Sequence, residues 1–413
     1  MIVAQKNFME AALTVRMMRF SLLIWTVFFA GAVLFAGDTV RPGLEKLSWE
    51  YQISDPDEKA LVMALKDPLL AEMNVEDALQ DWFAGRLLDT QNKQQAAREK
   101  WQEGLRKLDS LAALPPFHYS APSKAEFTVL SELKLKNFPD VQLQVVSWQV
   151  ANLRQYGLLL APRQKTPGRK HRLVLYGHGA AFGVPNSFCD WLAEHFVQKG
   201  YVVIAPALRG EPLFQMQIPV NGKELVSDGE IENLAGETDD CLAMLDAAWK
   251  LPFVKAGEFA MIGHSFGSGV GLLTVARAGS AAKVAVSYDA WLVNPQRYYW
   301  DRMRRGANNW LSWEDFCNQP VSDQLRGLQQ RSLLHNVDKL QARLLLFMGG
   351  AYDGSVFHQS HADLIEKLQK SGKKFHYELV PDGDHNFVLR DGPPAQYALK
   401  IQQKFFAEHY PAE

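Results

Sequence analysis

One short stretch constrains the fold of this chain more than any other. An apolar run at 259–262 is followed by the pentapeptide GHSFG at 263–267 and then by small and apolar residues. A buried strand, a sharp turn and a buried helix, in that order, are the setting of the G-x-S-x-G pattern. The turn at Ser265 is so tight that glycine is needed two residues before and two residues after it. The hydroxyl of Ser265 is therefore expected to stand above the edge of a sheet.

The helix after this turn bears on the chemistry that Ser265 can perform. The unpaired amides and the positive end of the helix dipole point towards the serine. We expect the backbone amide of Phe266 to donate to an oxygen that gains negative charge during a reaction. Ser265 is therefore a candidate nucleophile.

A serine hydroxyl is a weak nucleophile unless a base accepts its proton and an acid orients the base. After a turn of this kind the acid precedes the histidine along the chain. Asp353 lies in a loop after the apolar run 344–348, and we predict that it is the acid. His385 lies in a loop after the predicted strand 375–380, and we predict that it is the base. Asp289, at the end of an earlier strand, is the alternative acid.

The remaining histidines are expected to have other roles. His264 precedes the nucleophile and lacks the geometry to act on its own neighbour. His358, His361 and His376 are expected on the surface of a helix or a strand. His178 is expected to hold its loop by hydrogen bonds.

A second oxyanion donor is expected in the loop at 177–183, which follows the predicted strand 173–176. Its glycines allow the backbone to approach a substrate closely. We predict that the backbone amide of Ala180 or Ala181 is this donor.

The substrate pocket is expected near an aromatic insertion at 290–336. Its length is unusual for a connection within a compact domain. It follows a predicted strand at 284–287, so it would overhang the carboxyl edge of the sheet, where ligands bind in open α/β folds. Trp291, Tyr298 and Tyr299, together with Phe182, are the pocket residues that we predict. The alternative is aromatic packing without substrate contact.

The pattern of the whole chain from residue 125 to 410 indicates an α/β fold. Three segments with a period of two come first and predict antiparallel strands. Apolar strands then alternate with helical stretches, which predicts a mostly parallel sheet with helices on both faces. The predicted strands are 127–130, 141–150, 156–160, 173–176, 202–205, 259–262, 284–287, 344–348 and 375–380. The predicted helices are 187–198, 230–249, 266–278, 360–370 and 395–408.

The region at 45–116 is helical in pattern. Its small and large residues at 75–108 have the spacing of one tetratricopeptide-like hairpin. These residues are Gly85, Leu88, Ala97, Trp101 and Gly104. The hairpin would either dock a protein partner or form a plain helical layer, because one repeat cannot form a solenoid.

The N-terminal stretch at 1–38 is predicted to be a signal or anchor segment. Its apolar run at 20–36 is uncharged, with Lys6, Arg16 and Arg19 before it and Asp38 after it. The length of this run lies between the core of a signal peptide and a membrane span. In either case the rest of the chain is expected to be exported, periplasmic or extracellular. A buried helix is the alternative, and Met17 or Met18 would serve as another start.

Composition excludes several classes of function. A net charge of −2 and the lack of a basic tract give no reason to expect a nucleic-acid partner. The three cysteines, Cys189, Cys241 and Cys317, have no disulfide or metal spacing and are expected to be free thiols. The sequence has no H-E-x-x-H, EF-hand, Walker or dinucleotide pattern, so we expect neither a metal nor a cofactor.

Residues 125–410 resemble the catalytic domain of the prolyl oligopeptidase family and its dienelactone-hydrolase-like relatives. The stretches that carry the resemblance are LVLYGHGAAFG at 173–183, GYVVIAPALRG at 200–210, GHSFGSG at 263–269, RSLLHNVDKLQARLLLFMGGAYDGSV at 331–356 and KSGKKFHYELVPDGDHNF at 370–387. The resemblance implies an α/β-hydrolase fold with a Ser265–Asp353–His385 triad. It also implies a serine hydrolase that cleaves an ester or an amide through an acyl-enzyme.

Three departures from the family weaken the expectation of a peptidase. The peptidases of this family carry a β-propeller, whereas here only a helical stretch too short for one separates the apolar segment from the first predicted strand. Ala207 stands where relatives often have aspartate, and Ser268 stands where they often have a second glycine. We therefore slightly prefer a carboxylic ester as substrate, with a peptidase, a transferase that shares the same residues, and a non-catalytic envelope interaction protein as alternatives.

Overall fold

The computed structural model describes residues 53–65, 76–112, 125–179, 183–216, 218–295, 297–298, 327, 330–352 and 356–412. The predicted signal or anchor segment at 1–38, with its apolar run at 20–36, lies outside these ranges. The chain forms two compact units, Met1–Ser110 and Leu111–Glu413. Among the described residues, no helix combines the length and the apolar character that are needed to cross a membrane.

The described part of the first unit is helical, as the sequence predicts. Its helices are α1 (Pro56–Leu65), α2 (Glu76–Thr90) and α3 (Gln94–Ala112). Helices α2 and α3 form an antiparallel hairpin, in which Trp101 is buried and its indole N–H donates to the carbonyl of Trp82 at 3.3 Å. Gly85 faces the same indole ring, and an added Cβ there would lie 2.2 Å from it. The expected spacing of small and large residues therefore packs one helix closely on the other.

The second unit is built on one sheet of nine strands in the order β1-β2-β3-β5-β4-β6-β7-β8-β9. The strands are β1 (Thr128–Leu133), β2 (Val141–Val150), β3 (Leu153–Pro162), β4 (Leu173–Gly177), β5 (Val202–Ala207), β6 (Phe259–His264), β7 (Ala282–Tyr288), β8 (Arg343–Gly349) and β9 (Phe375–Val380). The first three strands form antiparallel pairs, and β3 is antiparallel to β5. All pairs from β5 to β9 are parallel. The mostly parallel sheet that the sequence predicts is confirmed.

A helix follows each strand from β4 to β9 along the chain. These helices are α4 (Asn186–His195), α5 (Gly236–Trp249), α6 (Ser265–Ala278), α7 (Leu333–Asn336), α8 (Val356–Lys370) and α9 (Pro393–His409). Every residue of β4, β5 and β6 is buried, which is the pattern of parallel strands that are covered on both faces.

One predicted helix is shorter than expected. The pattern predicted a helix at 230–249, but α5 begins at Gly236. Asn233 and Leu234 have φ values of 54° and 79°, and this left-handed backbone cannot continue into a right-handed helix. The side chain of Glu237 instead accepts a hydrogen bond from the amide of Glu232 at 2.6 Å, so the approach to the helix is a turn.

A backbone contact sets the position of α6 on the sheet. An added Cβ at Gly177, the last residue of β4, would lie 2.4 Å from the carbonyl oxygen of Gly267. An added Cβ at Gly267 would in turn lie 2.2 Å from the carbonyl oxygen of His178. Only two glycines allow so close an approach, so the first turn of α6 is held against the end of β4.

Candidate active site

Ser265 lies at the junction between β6 and α6. Its φ is 51°, in the left-handed region that residues other than glycine rarely adopt, and its side chain is almost fully buried. The carbonyl of Ser265 accepts a hydrogen bond from the amide of Trp291 at 2.9 Å. The strained turn that the sequence predicts is therefore present, and the loop after the neighbouring strand β7 holds it in place.

The serine at 268 fits the interior of this turn. The hydroxyl of Ser268 donates to the carbonyl of Gly263 at 2.9 Å and lies 2.9 Å from the hydroxyl of Ser287. Its polar atom is satisfied although the residue is fully buried. The departure from a second glycine therefore leaves the turn intact.

His385 approaches Ser265 from the loop after β9. Its Nε2 atom lies 2.8 Å from the hydroxyl oxygen of Ser265, so the hydroxyl can donate to a neutral imidazole. Burial and the neighbouring His264 lower the pKa of His385 to about 3, Asp384 opposes this shift, and His361 adds to it. The imidazole is therefore neutral at pH 7 and able to accept the serine proton.

The second nitrogen of His385 faces the carboxylate of Asp289. Nδ1 lies 3.8 Å from Oδ2 of this fully buried residue, which directly follows β7. The other carboxylate oxygen, Oδ1, accepts a hydrogen bond from the amide of Gly349 at 2.8 Å. The separation of Nδ1 and Oδ2 permits charge attraction but is longer than a hydrogen bond. The alternative acid of the sequence analysis therefore lies beside the base at the distance of an ion pair.

Asp353, the acid that we predict, lies outside the described residues. The short turn before it is nevertheless tied to the loop of the base, because the amide of Ala351 donates to the carbonyl of Gly383 at 2.9 Å. The chain thus reaches residue 352 beside the loop that carries His385.

His264 contacts the base through the backbone. Its Nε2–H donates to the carbonyl of His385 at 2.7 Å, and the two rings are 5.1 Å apart. Burial lowers the pKa of His264 to about 4. The residue therefore supports the loop of His385, a role that the sequence did not indicate.

The expectation for His361 was wrong. This residue is buried rather than on the surface of α8, and its Nδ1–H donates to the carbonyl of Phe357 at 2.9 Å. It lies on the helix face that packs inward, where burial lowers its pKa to about 4. His358 is half-buried and donates to the carbonyl of Gly349 at 2.8 Å, whereas His376 is exposed as predicted.

The residues that we predict as oxyanion donors are described in part. Phe266 is the second residue of α6 and is buried. The other residues that we predict in this role or beside it, Ala180, Ala181 and Phe182, lie outside the described residues. His178, just before them, is fully buried and lies 3.2 Å from the buried carboxylate of Glu211. Nothing in the sequence pattern pointed to Glu211.

A row of aromatic side chains connects Phe266 to His385. The ring of Trp291 lies 5.5 Å from that of Phe266 and 6.1 Å from that of Tyr298. Phe357 follows, at 5.6 Å from Tyr298 and at 4.8 Å from the imidazole of His385. We call these four residues, Phe266, Trp291, Tyr298 and Phe357, the aromatic wall. Tyr299 and most of the insertion at 290–336 lie outside the described residues.

An ion pair fixes the aromatic wall to α8. The guanidinium of Arg297 donates to both carboxylate oxygens of Asp363, at 2.6 and 2.7 Å. Asn294 donates to the same carboxylate at 2.7 Å. A two-point contact of this kind restricts orientation as well as distance, so the segment that carries Tyr298 is held against the helix that carries Phe357.

The described residues hold no group of three or more histidine, cysteine, aspartate or glutamate side chains that is placed to bind a metal ion. Cys189 and Cys241 are buried free thiols, as expected, and burial raises the pKa of Cys189 to about 12. Cys317 lies outside the described residues.

The structure is similar to several solved structures. Over 73% of this chain and 92% of the other, the structure is similar to an acetyl xylan esterase from Paenibacillus sp. R4, with 18% identity and a TM-score of 0.50. A dipeptidyl peptidase 4 from Porphyromonas gingivalis matches 69% of this chain with 17% identity and a TM-score of 0.46. An acylaminoacyl peptidase from Pyrococcus horikoshii matches 69% with 13% identity and a TM-score of 0.48. The chain spans about 35% and 50% of these two peptidases, respectively.

The sequence of the second unit shows the family. The model of the prolyl oligopeptidase family matches residues 186–412, which include both Ser265 and His385 and cover more than half of the chain. The protein is therefore a serine hydrolase with an α/β-hydrolase fold, and it belongs to the prolyl oligopeptidase family.

Proposed function

We propose that this serine hydrolase is exported and cleaves carboxylic esters through an acyl-enzyme on Ser265. The observation that carries the proposal is the 2.8 Å contact between the hydroxyl of Ser265 and Nε2 of a neutral His385. A nucleophile and a base within hydrogen-bond distance, at the start of a helix, are the parts that acyl transfer requires.

In the first half of the reaction, Nε2 of His385 accepts the hydroxyl proton while Oγ of Ser265 forms a bond to the carbonyl carbon. The carbonyl oxygen takes up the negative charge and accepts hydrogen bonds from the amide of Phe266 and from the amide of Ala180 or Ala181. The proton on Nε2 then passes to the leaving oxygen as the bond from carbon to that oxygen breaks.

In the second half, water replaces the leaving alcohol. His385 accepts a proton from the water as its oxygen bonds to the acyl carbon, and the charge again collects on the oxygen held by the amides. Breaking of the acyl–Oγ bond returns the proton to Ser265 and releases the acid.

The aromatic wall supports an ester with an apolar group as the substrate. Tyr298 and Phe357 are half-buried, and the ring of Phe357 lies 4.8 Å from the imidazole of His385 with Tyr298 packed behind it. The two rings therefore offer apolar surface near the reacting atoms. A small peptide remains the alternative substrate, because the same catalytic groups cleave amides in serine peptidases. A sugar ester is a further case, since sugars stack on aromatic rings as well.

We test the substrate class with a matched pair, an aryl ester and an anilide that carry the same short acyl group. We expect kcat/KM for the ester to exceed that for the anilide by at least about 10³-fold, and Ser265→Ala to abolish both activities. Equal or better cleavage of the anilide, or of short peptides, would establish the peptidase alternative instead.

Export is tested with the N-terminal segment 1–40 alone. Fused to a reporter enzyme that is active only after translocation, this segment should give activity in a bacterial host, because its apolar run follows a positive flank. The same fusion without residues 20–36 is the control and should be inactive. A reporter that stays inactive with the complete segment would contradict export.

The two candidate acids are expected to differ in effect. Asp353→Asn should reduce kcat by about 10³-fold to 10⁴-fold, as the loss of the orienting acid does in serine hydrolases. Asp289→Asn should reduce kcat only about tenfold, because the carboxylate lies 3.8 Å from Nδ1 and acts through charge and through Gly349. The measurement is kcat of each purified variant on the aryl ester, and an equal or larger loss in Asp289→Asn would make Asp289 the acid.

The pH dependence of kcat/KM follows from the pKa of His385. Its pKa is lowered to about 3, so the ring stays neutral, and competent as a base, at pH values where an ordinary histidine is protonated. We expect activity to persist below pH 6.5 and to fall only as the pH drops through the lowered pKa. The profile is measured on the aryl ester, with circular dichroism at each pH to exclude unfolding. An acid limb centred at or above pH 6.5 in the folded enzyme would contradict this.

A further inference from the structure

One buried carboxylate contacts both ends of the loop that precedes α4. Oε2 of Glu211 lies 3.2 Å from Nε2 of His178, at the start of this loop. The same oxygen accepts a hydrogen bond from the amide of Gly183, at the end of the loop, at 3.3 Å. His178 and Glu211 are both at most 1% exposed. The loop between these two contacts is the one predicted to provide the second oxyanion donor.

Glu211 is itself firmly placed. Its carbonyl accepts a hydrogen bond from the amide of Ser227 at 2.9 Å. The chain just after it pairs with the end of the loop, because the amide of Val184 donates to the carbonyl of Leu213 at 3.0 Å and the amide of Gln215 donates to the carbonyl of Val184 at 3.1 Å. Because its backbone is held by these contacts, Glu211 can fix the position of the groups that bind its carboxyl oxygen.

The other side of the loop rests on the nucleophile's turn. Gly177 packs against Gly267, and an added Cβ at Gly179 would lie 2.8 Å from Nδ1 of His264. The described ends of the loop are therefore held between the turn of Ser265 and the carboxylate of Glu211.

The protons around His178 show why a carboxyl group is needed there. Nδ1 lies 2.8 Å from the carbonyl oxygen of Gly179. A carbonyl oxygen can only accept, so the proton of the ring is on Nδ1. A neutral imidazole has a single N–H, which leaves a lone pair on Nε2 facing Oε2 of Glu211. A proton shared between Nε2 and Oε2 removes this repulsion, and burial, which lowers the pKa of His178 to about 4, favours the carboxyl group as its carrier.

We infer that Glu211 is a positioning residue for the oxyanion hole. One of its carboxyl oxygens binds His178 and the amide of Gly183, the two ends of the loop that is predicted to provide the second oxyanion donor. This inference rests on the function proposed above, since the loop matters only if an oxyanion forms at Ser265. Glu211 acts through the loop and does not touch the substrate.

Two substitutions, Glu211→Gln and Glu211→Leu, separate the effect of the carboxyl group from that of side-chain volume. Glutamine keeps the size, but it cannot accept from Gly183 and also leave Nδ1 of His178 with a proton for Gly179, so one of these hydrogen bonds is lost. Leucine removes every polar contact. The matched control is Glu237→Gln, which makes the same exchange at a fully buried glutamate on α5; burial raises the pKa of Glu237 to about 7, so a neutral amide resembles its protonated form.

The readouts are kcat and KM on the aryl ester and the inhibition constant of phenylboronic acid. Oγ of Ser265 bonds to boron as His385 takes its proton, and an oxygen of the resulting tetrahedral boronate occupies the oxyanion hole. We expect Glu211→Leu to lower kcat by about 10²-fold or more, as the loss of one oxyanion donor does. Glu211→Gln should lower kcat about tenfold. KM should change by less than about threefold, and the inhibition constant should rise in step with the loss of kcat.

The outcomes are distinguishable. If the wild-type protein neither turns over the ester nor binds phenylboronic acid, the proposed function fails. If the wild-type enzyme is active and folded Glu211→Gln keeps kcat and the inhibition constant within twofold of it, the inference about Glu211 is overturned. It is also overturned if Glu237→Gln causes the same loss, because the effect would then be general to buried glutamates. Glu211→Gln decides the question even if Glu211→Leu does not fold.

Discussion

The structure depends on the left-handed turn at Ser265. A non-glycine residue with a φ of 51° is strained, and the strain persists only because the surroundings leave no other arrangement. The amide of Trp291 holds the carbonyl of Ser265 from one side. On the other side, the contact between Gly177 and Gly267 brings the start of α6 against the end of β4. The turn therefore joins three parts of the candidate site: Ser265, the end of β4 before the predicted oxyanion loop, and the loop that follows β7.

His385, the base that we propose, is supported by groups that remain neutral. His264 and His361 are buried, and burial lowers the pKa of each to about 4, so neither adds positive charge beside His385 at pH 7. His264 also binds the backbone of the base through the carbonyl of His385. The carboxyl group of Asp289 is fully buried, and its Oδ2 lies 3.8 Å from Nδ1. The site thus keeps the imidazole able to accept a proton and places a carboxylate where an imidazolium would form.

The sequence predicted the parts of the site that depend on local pattern. The G-x-S-x-G turn and the loop after β9 are each readable within a short stretch of chain, and the structure brings Ser265 and His385 to 2.8 Å. Features that arise from packing between distant parts of the chain could not be predicted from the sequence. Glu211, in the connection after β5, contacts His178, in the connection after β4. His361 is buried because it lies on the face of α8 that packs against the rest of the unit. The late start of α5 was missed because Leu234 is of a residue type that rarely adopts the left-handed conformation, although Asn233 before it often does.

Active-site labelling shows whether Ser265 is an activated nucleophile. The purified protein is treated with a fluorophosphonate, and the labelled peptide is identified by mass spectrometry, with Ser265→Ala as the control. We expect rapid phosphonylation of Ser265, with loss of fluoride, and no labelling of the variant. A folded wild-type protein that remains unlabelled, or that is labelled equally in Ser265→Ala, would contradict this expectation.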